Sequence, residues 1–216
     1  MIRYVVAGNP DERVIVSAVN ELREGNVIAF PTDTSWVFAA NLLSKKGVDS
    51  LYQIREVDRK KHLSIICDSI SMASKYAIIS NNTYRMINRL VPGAYTFILN
   101  PSRDIPRSIR DYKKSKQIGI RIPKSILCQK IIKSSDFPII TTSIPFDGIL
   151  QLDGESRHDT IYSYQIEEMF GGRINMIIDP DELELLGKSS IIDFSEEDEV
   201  PRILREGAGD VSFFRQ

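Results

Sequence analysis

Val27-Ile28-Ala29-Phe30-Pro31-Thr32-Asp33-Thr34-Ser35-Trp36 is a short apolar run that stops at a proline and turns polar. Four apolar residues bounded by Gly25 and Pro31 suit a buried strand better than a helix, which usually needs about ten residues or more. Upstream, Val14, Ile15, Ala18, Val19 and Leu22 recur at helical spacing, Pro10 stands where a helix takes its first residue, and Gly25 supplies a stop. An amphipathic helix therefore feeds a buried strand that ends in a hydroxyl-rich turn.

The same alternation continues downstream. Val48, Leu51, Tyr52 and Ile54 predict a helix that delivers Arg55, followed by a charged turn from Glu56 to Lys61 and the strand Leu63-Ser64-Ile65-Ile66-Cys67. A helix over 82–90 stops before Pro92-Gly93, and Tyr95-Thr96-Phe97-Ile98-Leu99 follows as a strand. Ile118-Gly119-Ile120-Arg121-Ile122 is a strand stopped by Pro123, Ile126 to Ile132 a helix, and Pro138-Ile139-Ile140-Thr141-Thr142-Ser143 another strand. A helix over 161–170 and strands over 175–178, 189–194 and 202–205 complete the pattern. Helices and strands interleave without a strict βαβ rhythm, which predicts an α/β fold with a mixed sheet and helices packed around it. No repeat or linker interrupts the chain, so residues 1–216 are expected to form a single domain.

Composition limits the function classes. With 216 residues, 42% apolar and 26% charged, the chain resembles an average globular protein and differs from disordered or membrane sequences. The start, Met1 to Gly8, is too short and soon too polar for a signal peptide, and no apolar run is long enough to span a bilayer, so a cytoplasmic protein without a membrane partner is expected. Cys67 and Cys128 stand far apart, and only His62 and His158 join them as soft ligands. Free thiols and no protein-held metal are expected. Charge is uneven: Asn100 to Lys133 holds ten basic residues, among them Arg110, Lys113, Lys114 and Lys116, against two acidic ones. That stretch is either a solvated surface or a contact for phosphate or RNA. Asp181 to Glu199 carries eight acidic residues against Lys188 and reads as a solvated face.

Four predicted strand ends share one design, an apolar run closing in Thr, Ser or Arg beside Pro or Gly: around Thr32 and Thr34, at Arg121, at Thr141 to Ser143, and at Arg205. Ligands of open α/β sheets bind at strand ends, although such hydroxyls also cap local backbone. Arg121, inside an Ile-rich strand, needs either an internal carboxylate or the carboxylate or phosphate of a ligand. GxxxxGK[ST], GxGxxG and GxSxG are all absent, which excludes P-loop, dinucleotide and α/β-hydrolase chemistry of the usual kind.

Pro31 to Trp36 is similar to the PTDTxYGLG signature of the YciO/YrdC family, which includes threonylcarbamoyl-AMP synthases. Pro92 to Leu99 resembles its PGPxTxIL segment, Ile118 to Pro123 its VGIRVP strand, Thr142-Ser143 its TSAN start, and Leu204 to Ala208 its LRxGA ending. The resemblance implies a twisted open sheet with a concave basic face. It implies L-threonine at Thr34 and Arg121, and a nucleotide, ATP with Mg2+ or AMP, at Thr32, Arg55, Thr141, Ser143 and Arg205. Bicarbonate would be the third substrate, and the product would feed threonylcarbamoyladenosine formation in tRNA. No residue is singled out as a catalytic acid or base. The synthase KxR motif is replaced by Arg55-Glu56-Val57 and its SxN motif by Ser143-Ile144-Pro145, which places the chain nearer the YciO branch and implies weak turnover. The alternative is a domain that binds double-stranded RNA, tRNA or a nucleotide without synthase turnover.

Overall fold

A computed structural model describes residues 1–54, 63–103, 105, 117–145, 161–181, 184–196 and 200–215. The first helix forms as α1 (Glu12–Arg23), burying Ile15, Ala18, Val19 and Leu22. Its cap is Asp11, whose carboxylate accepts the Arg13 N–H at 2.8 Å. Pro10 therefore stands just outside the helix rather than at its first position, because only Asp11 has a side-chain acceptor for the unpaired amides. Gly25, at φ 78°, turns the chain after α1 in a conformation that costs other residues energy.

Ten strands join one mixed sheet. They are β1 (Ile2–Tyr4), β2 (Ile28–Pro31), β3 (Trp36–Asn41), β4 (Ser64–Ile66), β5 (Tyr95–Leu99), β6 (Ile118–Arg121), β7 (Ile139–Ser143), β8 (Met176–Asp179), β9 (Ser190–Asp193) and β10 (Arg202–Arg205). Their spatial order is β1-β8-β2-β3-β7-β4-β6-β5-β9-β10. Strands pair in parallel at β1/β8, β8/β2, β4/β6 and β5/β9, and antiparallel at the other junctions. The expected mixed α/β sheet is thus present. Beside α1, the helices among the described residues are α2 (Lys45–Ile54), α3 (Ile70–Tyr76), α4 (Asn81–Ile87), α5 (Ile126–Ser134) and α6 (Ser163–Phe170). None is long and apolar enough to cross a membrane.

Side chains alternate across the strands and divide the core in two. Ala29, Trp36, Phe38, Leu63, Ile65, Phe97 and Ile120 face one side with Leu51 of α2 and Phe170 of α6, where Phe38 meets Phe170 edge-on at 5.0 Å. Ile28, Phe30, Val37, Ala39, Ile66 and Ile139 face the other, under Ile15 and Leu22 of α1 and Leu127 and Ile131 of α5. Helices α1 and α5 thus cover the second face over β2, β3 and β7. Beyond β7 the same face carries Ser64, Gly119, Arg121 and Thr96 beside the buried Ile66 and Ile98, and the strand ends of interest lie there.

Candidate functional site

Pro31 pairs with Trp36, so Thr32-Asp33-Thr34-Ser35 is the hairpin turn between β2 and β3. Thr32 organises it: its Oγ1 accepts the N–H groups of Thr34 and Ser35 at 3.2 Å each and donates to the Ser35 carbonyl at 2.8 Å. The two threonine hydroxyls stand 3.3 Å apart. From outside, Leu186 and Gly187 N–H groups bond the carbonyls of Asp33 and Thr34, both at 3.1 Å. Thr32, Thr34 and Ser35 are all buried. A turn held on both sides in this way presents its side chains from a rigid frame.

Arg121 ends β6 and donates through Nη2 to Oδ1 of Asp33, while Oδ2 of Asp33 accepts the Lys124 N–H at 3.0 Å. Each side chain of the pair is only 6% exposed. Asp33 therefore supplies the internal carboxylate that a buried arginine requires. It does not satisfy the whole guanidinium: Arg121 Nε is buried without a hydrogen-bond partner among the described residues.

Strand register puts the other sequence-predicted residues on the same face. Thr141 pairs with Ser64, and Ser64 with Gly119, two positions before Arg121. Gly119 pairs with Ile98, two positions after Thr96, and Thr96 pairs with Ile191, which faces Arg205. Thr141 Oγ1 donates to the Ser64 carbonyl at 3.1 Å. Ser143, exposed at the end of β7, lies 3.5 Å from the Ser35 hydroxyl. Arg205 donates from Nε to the Ser189 carbonyl at 2.9 Å and from Nη2 to its hydroxyl at 3.1 Å. Burial lowers the Arg205 pKa, and the positive charge of Arg121 lowers it further.

The structure thus brings Thr32 and Thr34 to the β2–β3 turn and Thr141, Ser143, Arg121 and Arg205 to one sheet face, the first two on β7 and the arginines on β6 and β10. Arg55, Arg110, Lys113, Lys114 and Lys116 lie outside the described residues, as does Val57. Pro145, two residues after Ser143, is exposed and has no amide to donate. Sequence reasoning missed Asp33, Ser35, Thr96 and Ser189. Asp33 sits inside the quoted turn, and Thr96 could have been found from alternation along Tyr95 to Leu99; Ser189 carries no local signal. Both cysteines are free and buried. Burial pushes the Cys128 thiol up to about 12 and that of Cys67 higher still, which leaves no thiolate for nucleophilic work.

A family model named Sua5_yciO_yrdC, described as "Telomere recombination", matches residues 20–207. The chain is 28% identical over 213 residues to YciO of Escherichia coli K12, spanning 98% of this chain and 97% of that protein. It superposes on the crystal structure of E. coli YciO with a TM-score of 0.84 at 27% identity, over 99% of this chain and 98% of the other. Threonylcarbamoyl-AMP synthase of Pyrococcus abyssi is 27% identical over 198 residues, 91% of this chain but 55% of that protein. The structure of P. abyssi Sua5 complexed with L-threonine superposes with a TM-score of 0.78 at 27% identity, covering 96% of this chain and 57% of that one.

Proposed function

The chain belongs to the Sua5/YciO/YrdC family, and on that premise we propose that it binds ATP and L-threonine as a threonylcarbamoyl-AMP synthase-like protein linked to tRNA threonylcarbamoyladenosine modification. The observation that carries the proposal is Arg121. It is fixed by Asp33 beside the Thr34 turn, yet keeps a buried N–H without an acceptor among the described residues. A buried orphan donor costs about 1–3 kcal/mol, and the carboxylate of a bound amino acid would remove that cost. Thr34, at the same turn, would meet the amino acid, and Thr32, whose hydroxyl holds the turn in shape, would help hold the nucleotide. Arg205, Thr141 and Ser143, with Arg55, would hold the nucleotide.

Two bond-forming steps follow from those ligands. The threonine nitrogen adds to CO2 derived from bicarbonate and loses a proton, giving a carbamate. A carbamate oxygen then attacks the α-phosphorus of ATP, the bond to the bridging oxygen breaks, and pyrophosphate leaves. The chain contributes orientation and positive charge, the two effects on which such transfers chiefly depend. Among the described residues, no three His, Cys, Asp or Glu side chains come together in a group that could hold a metal ion. The described residues fit Mg2+ only as a companion of the triphosphate, held by phosphate oxygens and water. Bound in that way, it would offset phosphate charge.

Val57 and Pro145 lack the guanidinium and amide of the synthase motifs, so turnover is expected to be weak. The test is threonine-dependent pyrophosphate release from ATP, Mg2+ and bicarbonate. Release should fall to background in Arg121→Ala and in the near-isosteric Thr34→Val, and should rise when Val57→Arg and Pro145→Asn are combined. Wild-type release no greater than that of Arg121→Ala would refute synthase activity. A tRNA partner is proposed from the basic residues between Asn100 and Lys133 other than the buried Arg121, above all Arg110, Lys113, Lys114 and Lys116. It requires salt-sensitive retention of tRNA in gel shifts, and no retention at low salt contradicts it.

A further inference from the structure

Away from the strand ends, a groove of about 430 Å³ runs between α3 and the end of α5. That volume suits a small organic ligand. Met72, Ile132 and Phe137 give the groove an apolar wall, and Asp68, Lys75, Lys133 and Asp136 stand around it. It shares no residue with the site built on the β2–β3 turn. Helix α5 separates the two: it begins just after Lys124, whose N–H bonds Asp33, and its nine residues carry the chain about 13 Å to the groove.

The charges of the groove are not balanced. Asp136 is taken by Arg23, whose Nη2 stands 3.0 Å from Oδ1, and Asp68 accepts the Ser69 hydroxyl at 2.6 Å. Lys75 and Lys133 come from the last turns of their helices, and neither ammonium has an ion-pair or hydrogen-bond partner among the described residues. Counting Arg23, three cations therefore stand against two carboxylates, and both carboxylates are already engaged. Each lysine also complements the dipole of its own helix, but that role leaves the ammonium free to meet a second anion. Two unpaired cations from separate helices, flanking one apolar wall, match a ligand that is anionic at one end and apolar at the other.

We propose that this groove is a second ligand site, for a small organic anion whose carboxylate or phosphate meets Lys75 and Lys133 while its apolar body covers Met72, Ile132 and Phe137. Loss of both exposed ion pairs predicts about tenfold weaker binding. Titration of the full chain, followed through backbone amide chemical shifts, tests it. Phenyl phosphate and benzoate are the probes and separate a phosphate ligand from a carboxylate one; inorganic phosphate and benzylamine are the controls. The double variant Lys75→Gln/Lys133→Gln is titrated beside wild type, and since both positions are exposed its fold should be kept. Expected are saturable shifts over 69–76 and 132–137 with at least one aromatic anion, about tenfold weaker binding of it by the double variant, and weaker binding of both controls. No saturable shift in those segments, or equal affinity of wild type and double variant, overturns the proposal. Shifts confined to 32–35 and 119–121 would place the probe in the site already described and overturn it as well. Benzylamine binding as tightly as the anions overturns the charge preference, and inorganic phosphate doing so overturns the need for an apolar body.

Discussion

Arg121 and Asp33 share a hydrogen bond where little water reaches either side chain. Removing one partner of such a pair strands the other charge and typically costs about 3–5 kcal/mol, whereas replacing both with apolar residues costs far less. Asp33→Ala and Arg121→Met should each lower the urea midpoint strongly, and the double variant Asp33→Leu/Arg121→Met should cost less than the two together; additive losses would argue against a coupled pair. The cysteines make a second expectation. Burial raises both thiol pKa values, so near pH 8 the thiolate fraction in the folded protein is negligible. Reaction with a thiol reagent should wait for denaturation, and rapid native labelling of either cysteine contradicts their burial. At this scale the sequence marked Arg121 as a residue needing an anion, but not which one. Asp33 lies 88 residues away, and no local pattern joins them.

Among the elements, those with clear periodicity were legible: α1, β5, β6 and α5 stand within a residue or two of where spacing places them. Those missed have physical reasons. β1 is a three-residue, largely exposed edge strand, and α3 has seven residues, too few for a helical repeat to declare itself. β3 is buried at all six positions, so the polar alternation that marks a half-exposed strand is absent. Its packing is testable. Phe38→Ala removes a ring set against Phe170 and should cost about 3–5 kcal/mol, lowering Tm by roughly 10 °C; a drop under about 2 °C would mean that β3 and α6 are not packed as described. The bulge in β10, a register shift between Ile203 and Arg205, was invisible beforehand because it depends on pairing with β9. A Cβ on Gly207 would lie 2.1 Å from the Lys188 carbonyl oxygen. Gly207→Ala should therefore loosen the bulge, seen as faster hydrogen exchange over 205–210 with exchange in β2, β3 and β7 unchanged; unchanged exchange at 205–210 contradicts the tight seat of that segment.

For the whole molecule, the sheet is covered unevenly. Helices bury one face over β2, β3 and β7, and beside them β6, β5 and β10 set Arg121, Thr96 and Arg205 on that face, with the β2–β3 turn joined to Arg121 through Asp33. That division explains why predicted strand ends from distant parts of the chain meet. Register along β7, β4, β6, β5, β9 and β10 sets Thr141, Arg121 and Arg205 on one side. The α/β class was legible from alternating helix and strand signals, whereas strand order depends on long-range pairing that no local pattern encodes. The basic residues expected to meet RNA lie outside the described residues and enter only through sequence charge. The measurement closest to the central claim is calorimetric titration of the full chain with L-threonine, beside Thr34→Val and Arg121→Lys, which keeps the charge but not the planar fork. Saturable binding by wild type, weakened about tenfold or more in both variants, is the predicted result. No saturable binding, or equal affinity in all three proteins, would contradict a threonine site at the Pro31-Thr32-Asp33-Thr34 turn.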